Sequence, residues 1–207
     1  MKQGESAIVI NNFTVYHPDC YPKELERIYQ DMALMRNHYL KDAAQRISNF
    51  AEATNSGSLK DMKVFYDLWG KQLLVYDLLK MTVGDAYKAG VIGWLEETRL
   101  KRKLTQARNI LVDIPNEYRE NYSEIKYKIH DQERFPSEGY GQASIDELKQ
   151  AEQKSMNNIQ SSIRKVCTSN TAVLKRLREV SRKMTLVETK EMKKRIEDSR
   201  KDIQILK

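Results

Sequence analysis

The sequence predicts an all-α protein: an antiparallel helical bundle with a short N-terminal extended segment or β-hairpin and a long, basic, heptad-patterned C-terminal helical arm. Three observations support this fold class. Residues that break helices are scarce, with 8 Gly and 4 Pro among 207 residues. Strong helix formers such as Lys, Glu, Leu, Met, Gln and Arg are abundant. Apolar residues recur at helical spacing over most of the chain.

Residues 1–20 differ from the rest of the chain. Ala7–Ile10 and Phe13–Tyr16 are short apolar runs separated by Asn11 and Asn12, and Asn tolerates the positive φ of a two-residue hairpin turn. A lone hairpin is marginally stable, so it has to dock on the helices or pair with another chain. We expect either this hairpin or an extended arm.

Two amphipathic helices are predicted next. The first begins near Pro22, ends at 55–57, and carries this apolar stripe: Leu25, Ile28, Met32, Met35, Tyr39, Ala43, Ile47 and Phe50. The second begins at Ser58, with Asp61 completing a variant capping box, and stops at Ala89-Gly90. Its stripe is broad and predicts the most buried helix: Phe65, Leu68, Trp69, Val75, Tyr76, Leu79, Val83 and Ala86.

The third helix is predicted over 91–112, with Leu100, Leu104, Ala107 and Leu111 on one side. Pro115 predicts a boundary after it, because proline removes a helical hydrogen bond. A fourth helix follows, with Tyr118, Tyr122, Ile125 and Ile129 on its apolar side. The loop 134–143 then closes a helical core over 1–134.

The C-terminal arm, 144–207, is predicted to begin at a capping box of Ser144 and Glu147. Its apolar residues alternate at steps of three and four, as in a coiled coil, and form the heptad seam: Ile159, Ile163, Val166, Asn170, Val173, Leu177, Val180, Met184 and then Val187. We favour a break in the arm at 168–171, which is rich in capping residues, or at Thr185, which opens another capping box. The arm packs on the core or on a partner.

Positive charge is concentrated in the arm. The net charge is +7, and residues 154–207 hold 15 Lys or Arg against 6 Asp or Glu. Such asymmetry indicates contact with an anionic partner or simply a solvated helix face. The candidate anion-binding residues are Arg99, Arg102, Lys103, Lys175, Arg176, Arg178, Arg182, Lys183, Lys193, Lys194 and Arg195.

No pattern of catalytic, metal-binding or cofactor-binding residues is found, and we expect a protein that is not an enzyme. His17 and Cys20 are three residues apart, but no second pair at zinc-finger spacing accompanies them. The segment 139–141, Gly-Tyr-Gly, lacks the strand and the Lys-Ser pair of a nucleotide-binding loop. A flexible connector explains it better.

Two cysteines far apart in sequence fit a reducing compartment better than a disulfide scaffold. The first ten residues contain no apolar signal region. No segment approaches the ~20 apolar residues that cross a bilayer. We therefore expect a cytoplasmic protein without a transmembrane segment, although a signal peptide already removed would leave no trace.

Two functions follow from these features. The heptad seam predicts a structural or adaptor protein that assembles with a protein partner, or with itself, through coiled-coil-like helical surfaces. The alternative is a sequence-nonspecific nucleic-acid-binding protein that uses the basic arm and the helix 91–112 against phosphates. Peripheral membrane contact through Trp94 is a third, weaker option because the apolar face there is modest.

Overall fold

The computed structural model describes residues 7–10, 13–16, 21–135 and 145–205. It confirms the all-α bundle. Two short strands precede the helices, β1 (Ala7–Ile10) and β2 (Phe13–Tyr16). The helices are α1 (Tyr21–Ser56), α2 (Met62–Lys88), α3 (Trp94–Glu117), α4 (Glu124–Arg134) and α5 (Ile145–Ile205).

The longest helix, α5, organises the fold. Its 61 residues span about 92 Å at 1.5 Å per residue, whereas the 36 residues of α1 span about 54 Å. It packs against each of the four other helices, and α2 packs between α1 and α3. Helices α1 and α5 are antiparallel, since Ile47 lies against Cys167 and Arg36, nearer the start of α1, bonds to Ser181. The arm is therefore part of the bundle.

The heptad seam of α5 lies inside the core of this same chain. All of its predicted members from 159 to 184 are almost fully buried: Ile159, Ile163, Val166, Asn170, Val173, Leu177, Val180 and Met184. The other helices of the chain cover them, so the seam has no free face to offer a partner. Its assignment as the assembly surface is wrong. Val187, one step further along, is exposed.

The favoured break in the arm is also absent, because α5 runs continuously through both candidate positions. Asn170 is 3% exposed within the helix rather than in a loop. The Thr185 hydroxyl donates to the Ser181 carbonyl one turn back instead of capping a new helix. Packing along the whole seam holds these weak helix formers in helical conformation, as tertiary contacts commonly do.

Pro115 does not end a helix either. It lies inside α3, and a π-helical segment, Tyr118–Ser123, joins α3 to α4 without a loop. Proline leaves the carbonyl four residues back without its usual donor. That carbonyl belongs to Leu111, and the indole Nε1–H of Trp69 donates to it at 2.8 Å. A side chain of α2 thus replaces the missing backbone hydrogen bond.

The turn between α1 and α2 differs from the predicted capping box. Gly57, at φ 75°, ends α1, and a 3₁₀ turn, Ser58–Lys60, follows. Asp61 is the N-cap of α2: its carboxylate accepts from the backbone N–H groups of Lys63 and Val64 at 2.8 and 3.1 Å. The other end of α2 stops where predicted, with Gly90 at φ 65°.

Strands β1 and β2 pair antiparallel, with Ile8 opposite Val15 and Ile10 opposite Phe13. The predicted Asn11–Asn12 turn, His17, Cys20 and the connector 136–144 lie outside the described residues. Among the described helices, none combines the length and the apolar character that crossing a bilayer requires.

Candidate functional site: a methionine groove and two basic surfaces

The apolar stripe of α1 divides into a buried half and an exposed half. Ala43, Ile47 and Phe50 are buried in the bundle, as predicted for the whole stripe. Met32 and Met35 are about half exposed. Between Ile28 and Met35 the stripe keeps its core spacing but is no longer covered, whereas Leu25, nearer the start of α1, is buried again.

The uncovered part of α1 forms one wall of an open groove with a volume of about 700 Å³. We call it the methionine groove. The end of α2 and the last third of α5 supply the other walls. Its apolar lining comes from all three helices: Leu25, Ile28, Met32, Met35 and Tyr39 of α1, Met81 and Ala89 of α2, and Met184 of α5. Exposed apolar surface of this kind marks interaction sites in soluble proteins.

A buried ion pair forms the polar floor of the groove. Arg36 of α1 is 7% exposed, and its guanidinium donates to both carboxylate oxygens of Glu188, at 2.7 and 3.0 Å. It also donates to the hydroxyls of Ser181 and Thr185, at 3.0 and 2.9 Å. This two-pronged geometry fixes α1 against α5. Asn37 accepts from the same Ser181 hydroxyl.

The rim of the groove carries both signs of charge. Asp85 and Lys88 stand on the α2 wall, and Glu191 and Arg195 stand on the α5 wall. Glu191 and Arg195 are themselves ion-paired, one helical turn apart. A mixed rim around an apolar centre resembles the rim and core of protein–protein interfaces more than it resembles an anion site.

The candidate basic residues do not form one patch. Arg99, Lys103 and Arg176 line a shallow furrow between α3 and α5. Within it, Glu96 accepts from Arg176 at 2.6 Å, and Glu179 pairs with the same guanidinium at 3.1 Å. The hydrogen bond from Arg176 lowers the pKa of Glu96, against the opposing effect of burial. These two carboxylates therefore neutralise part of the positive charge of the furrow.

The remaining basic candidates lie elsewhere. Arg178 and Arg182 face α1, where Lys41 lines the same depression. The other members are exposed at separate positions along α3 and α5: Arg102, Lys175, Lys183, Lys193, Lys194 and Arg195. A duplex or single strand would thus meet Lys and Arg on two flanks of α5, separated by the helix itself.

Aromatic and thiol side chains of the described core have packing roles. Tyr118 stacks on Phe65 at 3.9 Å and is 1% exposed, and Tyr122 is also buried, so neither ring is free to stack on a base. Burial raises the pKa of Tyr122 to about 12 and that of Cys167 to about 11. The Cys167 thiol is free and inert as a nucleophile. No cluster of three or more metal-ligating side chains occurs among the described residues.

Sequence reasoning missed Met81, Arg36 and Glu188 as parts of a site. Arg36 and Glu188 are ordinary charged positions on amphipathic helices, and only the packing of α1 on α5 pairs them. One sequence signal was available. The apolar stripe runs the full length of α1, whereas α2, the helix that packs on α1, is shorter and leaves part of the stripe uncovered. A comparison with known protein families, curated proteins and solved structures found no match for this chain.

Proposed function

We propose that this protein is a non-catalytic assembly or adaptor protein, and that its methionine groove receives an amphipathic helix of a protein partner. The observation that supports this proposal most strongly is the groove itself, in which three half-exposed methionines, Met32, Met35 and Met81, lie between three helices. Methionine is flexible and polarisable, and it is used at surfaces that accommodate partner helices. This function keeps the predicted class but moves the binding surface from the seam to the end of the bundle.

The dimensions of the groove support a helical ligand. From Leu25 to Tyr39 the α1 wall runs for 14 residue steps, or about 21 Å at 1.5 Å per residue. A partner helix of about four turns fills that length. Such a helix offers apolar residues at i, i+3, i+4 and i+7, which match the spacing of Ile28, Met32 and Met35 along the wall.

Site-specific photo-crosslinking tests the proposal. A benzophenone amino acid replaces Met35 in the groove or, as the matched control, Met62, an exposed methionine at the opposite end of α2. In the cells from which the chain derives, we expect a recurrent protein adduct at position 35 but not at 62. Peptide mapping should place the crosslink on the apolar face of a partner helix.

Two substitutions in the same crosslinking experiment can contradict the proposal. Met32→Asp introduces a charge into the groove and should reduce the adduct at position 35 about tenfold or more, because an unpaired charge is costly to bury. Met62→Asp should leave it unchanged. Equal labelling at 35 and 62, or labelling at 35 that is insensitive to Met32→Asp, would refute helix binding in this groove.

The furrow of Arg99, Lys103 and Arg176 supports a second candidate, nonspecific binding to nucleic-acid phosphates. Fluorescence anisotropy with labelled single- and double-stranded nucleic acid separates it from the first. Affinity that falls by orders of magnitude between about 50 and 200 mM salt, and is lost when the three residues become Glu, would favour this candidate. No binding at low salt would leave these residues as a solvated surface.

A further inference from the structure

A second depression lies between α1 and α5 and has a volume of about 350 Å³. None of its lining residues lines the methionine groove, so it is a separate surface. Three of its lining side chains are cationic, Lys41 of α1 and Arg178 and Arg182 of α5, and none of the described residues that line it is acidic. We call it the cation depression.

The three cations have no counter-charge within the described part of the chain. No carboxylate there pairs with Lys41, Arg178 or Arg182. The acidic residues that follow Lys41 and Arg178 in sequence are paired with other bases, Asp42 with Arg46 and Glu179 with Arg176. Arg178 and Arg182 lie one helical turn apart, where like charges repel. An anion from outside the chain would relieve that repulsion.

The polar lining of the cation depression offers hydrogen-bond donors. Ser181, which is buried, donates its hydroxyl to the side-chain oxygen of Asn37 at 3.2 Å. The amide oxygen of Asn37 is thus occupied, and its N–H₂ group remains a donor in the lining. Guanidinium, ammonium and amide N–H groups together complement the oxygens of a phosphate group, which arginine binds in a two-pronged manner.

An apolar depression adjoins the cation depression along the same two helices. The two share Asn37 and Thr185. Its apolar lining is Ala33, Leu34 and Met192, and Leu34 is 66% exposed. Lys41 and Leu34 are seven residue steps apart on α1, or about 10.5 Å. Three residues of an extended peptide, at about 3.3–3.6 Å each, cover that distance.

We propose that the cation depression binds a phosphorylated serine or threonine in an extended segment of a protein partner, and that an apolar residue of the same segment contacts Leu34. A phosphate monoester carries a charge of about −1.5 to −2 at pH 7 and three acceptor oxygens, which match three converging cations. A nucleic-acid phosphodiester carries one charge and repeats along the strand, whereas this surface continues into an apolar depression. The inference goes beyond helix binding in the methionine groove, and either can fail without the other.

A peptide library tests the proposal. Random positions flank a central threonine, and equal amounts of phosphorylated and unphosphorylated peptides are passed over the immobilised full-length chain. We expect phosphorylated peptides to be enriched about tenfold, because the phosphate forms charge-assisted hydrogen bonds that threonine does not. Apolar residues should be enriched three positions from the phosphothreonine, on one side only.

Two pairs of arginine substitutions distinguish this site from general electrostatic attraction. Arg178→Gln with Arg182→Gln should abolish the enrichment of phosphorylated peptides. The matched control, Arg99→Gln with Arg102→Gln, removes the same charge from α3 and should leave the enrichment unchanged. All four arginines are exposed, and circular dichroism verifies that both variants fold. Leu34→Gln should remove the apolar preference but keep the preference for phosphate.

The remaining outcomes overturn the proposal. Absence of enrichment, or an equal loss in both double variants, would mean that the cation depression does not select phosphate. Enrichment that survives Arg178→Gln with Arg182→Gln would place the site elsewhere. If no peptide is enriched but vesicles containing phosphatidic acid bind in a manner that depends on Arg178 and Arg182, the phosphate belongs to a lipid headgroup, and a protein partner is the wrong assignment.

Discussion

The buried ion pair between Arg36 and Glu188 allows a quantitative test of how the bundle end is held together. Arg36→Met removes a guanidinium that makes four hydrogen bonds to α5. It leaves the Glu188 carboxylate, 8% exposed, without its counter-charge. Breaking a buried pair from one side costs about 3–5 kcal/mol of folding free energy. We expect Arg36→Met to lose an amount in that range.

The double variant Arg36→Met, Glu188→Met should be more stable than either single variant. Both charges are then absent, and apolar side chains of similar length fill the space, an exchange that is often neutral or stabilising. Arg36→Lys should lose about 1–3 kcal/mol, because a single ammonium cannot reproduce the planar two-pronged contact.

Urea unfolding followed by far-UV circular dichroism measures these free energies, provided that the transitions remain two-state. The double-mutant cycle gives the coupling energy directly. Additive single effects, with a coupling below about 0.5 kcal/mol, would show that Arg36 and Glu188 act independently. The account of the groove floor would then be wrong.

Two further predictions concern the core. Trp69→Phe removes the indole donor to the Leu111 carbonyl and should lower the free energy of unfolding by about 1–3 kcal/mol. Pro115→Ala restores a backbone N–H to that carbonyl, so it should stabilise the Trp69→Phe protein more than the wild type. Equal effects of Pro115→Ala on urea unfolding in both backgrounds would contradict this. Burial raises the pKa of Tyr122 from 10.0 to about 12, so the unfolded chain loses the phenol proton at a lower pH than the folded protein. The free energy of unfolding should therefore fall between about pH 10 and 12, by about 1.4 kcal/mol per pH unit for this group. Below pH 10 the tyrosine is protonated in both states and contributes no pH dependence. Tyr122→Phe should make stability fall less steeply with pH above pH 10. An unchanged slope of stability against pH would contradict the role given to Tyr122.

The helical class and most helix positions were predictable because composition and apolar periodicity are local properties. The start of α1 near Pro22 and the end of α2 at Gly90 follow from such local signals. The errors arose where tertiary contacts override local preference. Pro115 continues a helix because Trp69, 46 residues earlier, supplies the missing donor. Asn170 stays helical because the seam around it is packed on both sides.

The candidate site was less predictable than the fold, and the heptad seam explains why. A stripe at a/d spacing has the same sequence signature whether it meets another chain or its own. The length of the predicted arm favoured a break within it. In the structure α4 lies against the start of α5, and α1 and α3 both pack along the stretch that contains Cys167 and Ser169. A helix of 61 residues is thus covered along most of its seam by several shorter ones. Only the three-dimensional arrangement distinguishes these cases.

The methionine groove follows from that same mismatch of lengths. Helix α2 ends at Lys88, and the longer helix α1 continues past that end; Arg36 and Glu188 join α1 to α5 beside the last turns of α2. Solubility alone would require a polar surface on that continuation. Instead α1 keeps Ile28 and Met32 at core spacing, half exposed, as a bundle does when one of its helices is missing. An amphipathic helix is the element that completes such a bundle, which is why we expect the partner to supply one.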